Sequence, residues 1–436
     1  MYYLKRLFFL FFLLEISPKL LGQQVITITI DEALQLAIKN HAQLKVTKQQ
    51  VIINEQEKEI TKLNQLPIIN TSIKASYLGD VDLFDGTFSK VMTQEIPHFG
   101  NSLEIQASQL IYKGGIVKNS IEAQELKIDL TKLSLENDEQ TIKKTVLDYF
   151  LNNLRLENQI KIFNNNIELA NQRLANVTQF YNQGITTRNE VLRAELLVKN
   201  LEQTLLSLKN NKAIIDYNLS ILLNFPKESI FTLDTSNQEW DLLKEKDYYI
   251  KMAFLKHPSL LKLEKQLLLS DKQIEIIKSE KYPTIALFAG FNSQRPITTR
   301  VPALDLYANA WQTGISISYN IDNLYKTKEK QQLGVFQKQQ LEYTNTVLTQ
   351  NIEMSVNSAY LKYFEAIKQA EIIYSSLKLA EENYKISLAK FLNQLIIQTE
   401  MIDASNTKLE IELSLNNAEI NIISQYYNLI YTTGTL

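Results

Sequence analysis

The chain contains two copies of one sequence pattern, and this duplication restricts its possible folds more than any other feature. Residues 31–44 (DEALQLAIKNHAQL) align with residues 247–260 (DYYIKMAFLKHPSL), with Asp, Ala, His and Leu at matching positions 216 apart. Pro67 and Pro283 keep this spacing, which then becomes 210 and is held almost to the end of the chain. A register held over about 190 residues with one local change in length indicates two similar halves.

Each half predicts the same order of elements: a helix, a β-hairpin and a pair of long helices. In the first half the opening helix is expected to continue through the apolar positions of residues 34–51. Pro67 and Pro283 end this helix, because proline cannot continue a helix and favours an extended residue before it. Both prolines are therefore expected to be hinges where helix changes to strand. Alternating apolar and polar residues then predict β-hairpins at 68–112 and 284–321.

The stretch that follows each hairpin, 98–225 in one half and 303–436 in the other, contains no proline and predicts long helices. Apolar residues recur with 4-3-4-3 spacing over 156–181, as in a coiled-coil seam. A second seam covers 191–222, and Lys212 is its one polar member. At 1.5 Å per residue the first long helix would reach roughly 100 Å, which no compact domain requires.

Turn residues divide each long stretch into a helical hairpin. Gly184, with Asn and Thr beside it, predicts the first tip, and the repeat places the second tip near residue 395. The domain organisation follows from the duplication. Residues 23–225 form the first structural repeat, 226–246 an inter-repeat linker, and 247–436 the second repeat.

The N-terminus has the pattern of an export signal. Lys5 and Arg6 precede the apolar run 7–14, and a cleavage point follows Gly22. Residues 1–22 are therefore interpreted as a signal peptide, with a short buried helix as the alternative. No later segment approaches the roughly 18 apolar residues of a spanning helix. An exported chain of this kind is periplasmic, secreted, or held in an outer membrane by β-strands.

Composition excludes several classes of function. The 46 basic and 48 acidic residues are interspersed and give a net charge of −2, so nucleic acid is not an expected partner. The chain has no cysteine, which excludes disulfides and thiolate chemistry. No nucleophile elbow, phosphate-binding glycine loop or HExxH motif is present. The sequence therefore predicts neither an enzyme nor a cofactor.

Two groups of residues resemble metal sites only superficially. His41 and His257 occupy the same repeat position, but a zinc site needs three or four ligands, so both are interpreted as structural. Asp80, Asp82 and Asp85 lie in the predicted loop 78–102, without the spacing of a calcium loop. They are interpreted as part of a solvated loop.

The predicted strands suggest a membrane barrel shared between several copies of the chain. Four strands of about ten residues match the ~9–11 residues that cross a bilayer at a tilt. Because four strands leave open edges, other copies must complete the sheet, and three copies would supply twelve strands. The expected fold is mainly α with a small β part. Long coiled-coil hairpins form an α-barrel, and four strands join a shared 12-stranded trimeric β-barrel that conducts from periplasm to exterior.

Aromatic residues in and beside the strands are expected to form an interfacial girdle. The alternative is that they are ordinary strand residues with high β propensity. The set comprises Tyr77, Phe288, Phe291, Tyr307, Trp311 and Tyr319.

On these features the chain resembles the TolC-like outer-membrane efflux proteins. The resemblance rests on the tandem halves, the segments 41–44 (HAQL) and 257–260 (HPSL), the two prolines, and YNQGITTRNEVLRAE at 181–195. It implies a passive homotrimeric exit duct of a tripartite efflux or type I secretion system, gated at its periplasmic end. The implied partners are outer-membrane lipid, a periplasmic adaptor (membrane fusion) protein, and an inner-membrane RND, ABC or MFS transporter. The implied location is the outer membrane, with most of the chain in the periplasm.

The resemblance also implies roles for the two tips. Adaptor contacts are expected at six tip residues: Gly184, Ile185, Thr186, Gln394, Leu395 and Ile396. Glu190, Glu400 and Asp403 would form acidic rings at a threefold entrance, although a solvated helix face is the alternative, above all for Glu400. The second tip departs from the family, because Gln394 replaces an expected glycine and Ile396 an arginine that helps to hold the entrance shut in some members.

Two other classes of protein remain open from the sequence. A periplasmic adaptor also uses a helical hairpin, but would show one hairpin flanked by β-rich modules. A coiled-coil structural protein of the envelope would have no use for apolar strands bounded by proline. Location and oligomeric size separate these classes from a channel.

Overall fold

The computed structural model describes residues 25–234, 244–300 and 302–436, and most of them are helical. The expected signal peptide lies outside these residues, as does much of the expected linker.

Over the described residues, the helices are α1 (Ile30–Asn40), α2 (Ala42–Lys62), α3 (Ile116–Asn182), α4 (Arg188–Leu223), α5 (Lys246–Lys256), α6 (Pro258–Ser279), α7 (Asn323–Leu392) and α8 (Gln398–Thr432). The strands are β1 (Val25–Thr29), β2 (Ile68–Tyr77), β3 (Val81–Phe84), β4 (Lys90–Gln94), β5 (Phe99–Tyr112), β6 (Ile230–Asp234), β7 (Thr284–Arg295) and β8 (Ala308–Ser318). The long helices α3 and α7 have 67 and 70 residues. The predicted long helical hairpins are thus confirmed.

The first helix of each half is broken at a histidine, whereas the sequence predicted a continuous helix in the first half. His41 and His257 both adopt extended backbone, with ψ of 128° and 119°. At His257 the break has a steric cause, because the next residue is Pro258. At His41 the ring Nδ1 accepts a hydrogen bond of 3.2 Å from the backbone N–H of Gln43, which satisfies a donor at the start of α2. The shared histidine position therefore marks a helix break.

The described residues form two compact units. The first, here called the tip unit, comprises residues 25–45, 136–234, 244–257 and 350–436. The second, the sheet unit, comprises residues 46–135, 258–300 and 302–349.

The sheet unit contains a four-stranded antiparallel sheet in the order β2-β5-β7-β8. Pro67 lies between the short 3-10 turn Leu63–Gln65 and β2, and Pro283 lies between α6 and β7. The expected loop 78–102 contains a further hairpin, β3 with β4, that the sequence analysis did not predict. Its strands of four and five residues are too short to give a clear alternating pattern.

The tip unit contains a small parallel pair, β1 with β6, that was also missed. β6 falls inside the range interpreted as the inter-repeat linker. Phe231, the second residue of β6, is fully buried, as are Phe150 of α3 and Leu219 of α4. The rings of Phe231 and Phe150 meet edge to face at 5.8 Å. Burial of Phe231, together with that of Leu233, thus positions a segment whose sequence carries no strong strand signal.

Lys212, the polar member of the second seam, is explained by the same region. Its ammonium lies 3.0 Å from the Asp216 carboxylate and donates to the backbone oxygen of Phe231 at 3.2 Å. Asp216 also accepts from the Asn153 amide at 2.5 Å and from the Phe231 N–H at 3.2 Å. A buried ion pair is tolerated when its remaining hydrogen-bonding groups are satisfied. Lys212 and Asp216 therefore attach β6 to α4.

Candidate functional site

The four-stranded sheet has one apolar and one polar face. Successive side chains of a strand point to opposite faces, and directly paired residues share a face. Thr71, Ile105, Phe291 and Trp311 are aligned across the four strands. The same face carries residues an even number of positions away along each strand, including Ile69, Ile73, Leu103, Ala107, Leu287, Ala289, Ile315 and Ile317. The opposite face carries Asn70, Ser72, Glu104, Gln106, Asn292, Gln312 and Ser316.

The apolar face is exposed in the single chain. Ile73, Trp311 and Ile317 have 80%, 78% and 70% of their surface accessible. A contiguous apolar patch of this kind marks a surface that contacts lipid or another protein. The face is therefore available to a surrounding membrane.

The edges of the sheet are open. β2 and β8 are the outermost strands, and over the described residues neither pairs with another strand along its outer edge. Unpaired strand edges expose rows of N–H and C=O groups, which favour pairing with another chain.

The expected aromatic girdle is only partly compatible with this register. Phe291 and Trp311 lie on the apolar face, and Tyr77 continues that face at the end of β2. Tyr307 and Tyr319 flank β8 at its two ends, so the aromatic residues lie toward both margins of the sheet.

Phe288, which was also predicted to belong to the girdle, lies on the other face of the sheet. It is paired with Gly314 on the polar face, three positions from Phe291 and hence on the opposite side. A Cβ at Gly314 would lie 3.2 Å from the Phe288 ring. A larger residue at 314 would therefore require the Phe288 ring to shift by a few tenths of an ångström.

The two helical tips have the same backbone geometry. In the first, Gly184 has φ +75°, and its N–H and that of Ile185 donate to Tyr181 and Phe180 at 2.9 Å each. In the second, Gln394 has φ +61°, and the equivalent bonds are 3.0 and 2.8 Å. Gln394 thus occupies the left-handed position that normally favours glycine.

The hydrophobic cluster beneath the tips joins the two hairpins. It contains Val177, Val191, Tyr384, Phe391 and Met401, all buried. Ile396 packs against this cluster, so the residue at the position of the expected arginine is an apolar contact. Ile185 and Leu395 are exposed, at 45% and 73%.

A cavity of about 230 Å³ lies between the tips. Five of the predicted site residues line it: Ile185, Thr186, Glu190, Gln394 and Ile396. The rest of its wall consists of residues that the sequence analysis did not single out: Val177, Phe180, Phe391, Ile397 and Gln398. Val177 belongs to the predicted seam over 156–181, but no sequence signal showed that the two tips would enclose a space.

The three predicted acidic residues have different surroundings. Glu190 is partly buried, and its carboxylate lies 3.8 Å from the Arg193 guanidinium. Glu400 and Asp403 are exposed and do not line the cavity. In the repeat register Arg193 is the counterpart of Asp403, so the two halves differ in charge at this position.

Neither a helical membrane span nor a metal cluster is found in the described part of the chain. Over residues 25–234, 244–300 and 302–436, no helix combines the length and apolarity needed to cross a bilayer. Across the same ranges, no group of three or more His, Asp or Glu side chains could hold a metal ion.

Comparison with known proteins identifies the fold. Residues 33–224 match the family model described as outer membrane efflux protein. No curated protein matches the sequence at a significant level.

Similar solved structures cover almost the whole chain. The channel-forming protein CusC is 15% identical with a TM-score of 0.77, covering 94% of this chain and 93% of that one. The outer membrane protein VceC of Vibrio cholerae is 11% identical with a TM-score of 0.75, covering 93% and 96%. The outer membrane channel CmeC of Campylobacter jejuni is 14% identical with a TM-score of 0.72, covering 93% and 85%.

The family match and the shared fold agree with the duplicated sequence, the amphipathic sheet and the paired helical hairpins. They also agree with the expectation of a channel rather than an enzyme. Residues 33–224 are therefore similar to outer membrane efflux proteins, and the chain has the fold of outer membrane channels such as CusC and VceC.

Proposed function

We propose that the chain is one protomer of a trimeric channel-tunnel that forms the exit duct of a tripartite efflux or type I secretion system. The single observation that supports this most strongly is the sheet, with an exposed apolar face, a polar face and two open edges. Backbone groups at a strand edge have no partner in lipid, so the edges of β2 and β8 must pair with other copies. Three copies give twelve strands, with the polar faces around a lumen.

In this proposal Pro67 and Pro283 lie at the periplasmic boundary of the membrane, and the long helices surround a periplasmic tunnel. Because the chain has no cysteine, single cysteines can be labelled without background. Leu66→Cys and Tyr282→Cys should resist an impermeant thiol reagent added to intact cells. Thr87→Cys, in the β3–β4 turn, should react as the matched extracellular control. Labelling at 66 and 282 but not at 87 would mean that the topology is inverted.

The periplasmic entrance is assigned to the two tips, where a periplasmic adaptor would contact Gly184, Ile185, Thr186, Gln394, Leu395 and Ile396. An inner-membrane transporter of the RND, ABC or MFS type would supply the cargo. Ile185 and Leu395 support the assignment, because they are exposed apolar side chains on a surface that the protomer itself does not cover.

The gate is tested by two substitutions. Gly184→Val should impair export without reducing the amount of trimer, because a β-branched residue is strained at φ +75° while the sheet is unaffected. Asp403→Asn should lower cation conductance in planar bilayers, since Asp403 is exposed and three copies would form a ring with Glu190 and Glu400 nearby. Normal export by the first variant and unchanged conductance in the second would contradict the assignment of tip and gate.

A further inference from the structure

The large apolar side chains that the long helices expose are concentrated on two of the four. Within the described residues, α8 exposes no large apolar or aromatic side chain, and α3 exposes only Tyr181, at the first tip. In the tip unit, α4 and α7 each expose several such side chains along their length. An exposed apolar series of this extent marks a surface that contacts lipid or another protein.

On both helices the exposed series lies away from the buried seam. On α4, Leu192 and Leu196 are exposed, and they are centred about 150° around the helix from the buried pair Val191 and Ala194, at ~100° per residue. On α7, the exposed pair Leu361 and Phe364 is centred about 160° from the buried pair Tyr363 and Ala366. A helix with apolar residues on two nearly opposite sides is suited to two neighbouring helices.

The contacts between the long helices place α3 and α8 at the centre, with α4 and α7 outside them. The contacts that show this are Asn166 of α3 with Glu412 of α8 at 3.0 Å, Asn153 of α3 with Asp216 of α4 at 2.5 Å, and the rings of Tyr363 of α7 and Tyr426 of α8 at 5.7 Å. The exposed series therefore lie on the two outer helices of the protomer.

The two hairpins run back from their tips in step. Asn166 and Glu412, which are hydrogen-bonded, are each 18 residues from the tip positions Gly184 and Gln394. Residues 177 and 191, each seven residues from Gly184, belong to one buried cluster. The number of residues from the tip therefore gives the level of a residue along α4 and along α7.

Counted in this way, the apolar residues of the two outer helices match in level. The matched pairs are Leu192 with Ile386 at 8 residues from the tip, Leu206 with Ile372 at 22, Ile214 with Phe364 at 30, and Tyr217 with Leu361 at 33. All eight side chains are between 44% and 67% exposed. α4 runs away from its tip and α7 runs toward its tip, so the two surfaces fit as antiparallel helices.

The polar residues of these surfaces match as well. Gln203 is level with Ser375, and Asn210 is level with Lys368. Where the match fails, at 12 and 15 residues from the tip, Leu196 and Lys199 of α4 are level with Glu382 and Leu379 of α7. These two adjacent levels together hold two leucines and two opposite charges. A surface with such polar levels fits a protein partner and not lipid.

We propose that α4 of one protomer packs antiparallel against α7 of the next copy of the chain, with the four matched apolar pairs in contact. The interface rests on the proposed function, because it exists only in an assembly of several copies. Its two sides are different surfaces of the same chain, and a contact of this kind repeats from copy to copy until a ring closes.

Disulfide formation tests both the partner and the register, since the chain has no cysteine of its own. The double variant Leu206→Cys with Ile372→Cys should give a covalently linked trimer when outer membranes are oxidised, and a reductant should return it to single chains. Either substitution alone should give no linked species. Tyr217→Cys with Leu361→Cys is a second pair, which keeps the test decisive if the first variant fails to assemble.

Leu206→Cys with Leu379→Cys is the matched control for register. Leu379 is also exposed on α7, but it lies seven residues nearer the tip, about 10 Å along the helix. A disulfide requires Cα atoms less than about 7 Å apart, so this pair should not link. Linkage of this pair in place of the matched pairs would overturn the register.

The failure of this interface can be distinguished from the failure of the proposed function. If the variants contain three copies by native mass spectrometry and neither matched pair links one chain to another, the interface between copies does not join α4 to α7. The proposed channel would then stand without it. A protein that is monomeric in the outer membrane would contradict both.

Discussion

Gly184 and Gln394 occupy the same left-handed position at the two helical tips, 210 residues apart in the repeat register. Only the first is a glycine. Left-handed backbone disfavours a residue with a Cβ, by about 1–2 kcal/mol for the helical conformation. The second tip therefore keeps the turn geometry in spite of its sequence, because the hydrogen bonds and the packing of Ile396 and Phe391 hold it.

Gln394→Gly should accordingly stabilise the second tip by about 0.5–1 kcal/mol. Hydrogen exchange of the Leu395 amide, which donates to Lys390 in the turn, should become slower. Asn393→Gly is the neighbouring control and should give no protection, since Asn393 does not have positive φ. Faster exchange in Gln394→Gly would show that the glutamine side chain itself stabilises the turn.

The buried pair of Lys212 and Asp216 should be required for attachment of β6. Asp216→Ala leaves the Lys212 ammonium buried without its carboxylate, which typically costs ~3–5 kcal/mol. Glu202→Ala removes the exposed pair with Lys199 and should cost less than about 1 kcal/mol. Denaturant unfolding of the tip unit, monitored by hydrogen exchange of the Phe231 amide, measures the loss of stability in both variants. Equal losses in the two variants would mean that the buried pair contributes no more than a surface pair.

Much of the fold could be predicted from the sequence, because the duplication and the two prolines give strong signals. Long seams and strands of ten or more residues repeat their pattern often enough to be recognised. β6 was not predicted, since it has five residues and depends on the burial of Phe231. That Phe288 lies on the face opposite to Phe291 was not predicted, because aromatic content was considered without the register of the strand. The cavity required contacts between residues about 200 positions apart, which a single sequence does not contain.

Arg173 is a buried cation that was not predicted from the sequence. It is 6% exposed, its Nε and Nη1 have no hydrogen-bond partner, and burial lowers the pKa of its guanidinium. Tyr384 lies near it, and the adjacent Lys408 already pairs with Glu412 at 2.8 Å.

Arg173→Met should therefore stabilise the tip unit, by roughly 1–3 kcal/mol, because it removes unsatisfied buried donors while keeping apolar volume. Arg188→Met, at an exposed site of the first tip, is the control and should change stability by less than about 1 kcal/mol. The measurement is the thermal unfolding temperature of the purified assembly. A lower unfolding temperature for Arg173→Met would indicate that the guanidinium has a stabilising partner in the assembly.

The apolar face of the sheet should tolerate no charge. Ile317→Lys places an ammonium on the proposed lipid-facing side near the periplasmic margin, because Ile317 pairs with Ile285, and the cost there is below the ~2–4 kcal/mol of the bilayer midplane. Ser316→Lys puts the same side chain on the polar face, one residue away, and serves as the matched control. The amount of assembled protein in outer-membrane fractions should fall for the first variant and stay near wild type for the second. The reverse order would mean that the two faces have been exchanged.

The proposal of a trimeric duct depends above all on closure of the sheet by other copies of the chain. Native mass spectrometry of the protein extracted from outer membranes measures the number of copies directly. We expect a single species that contains three chains. The mass of each chain should be close to the 50.4 kDa of the full sequence less the mass of the proposed signal peptide. A monomer, or recovery of the protein only from the soluble periplasmic fraction, would contradict the trimeric outer-membrane channel.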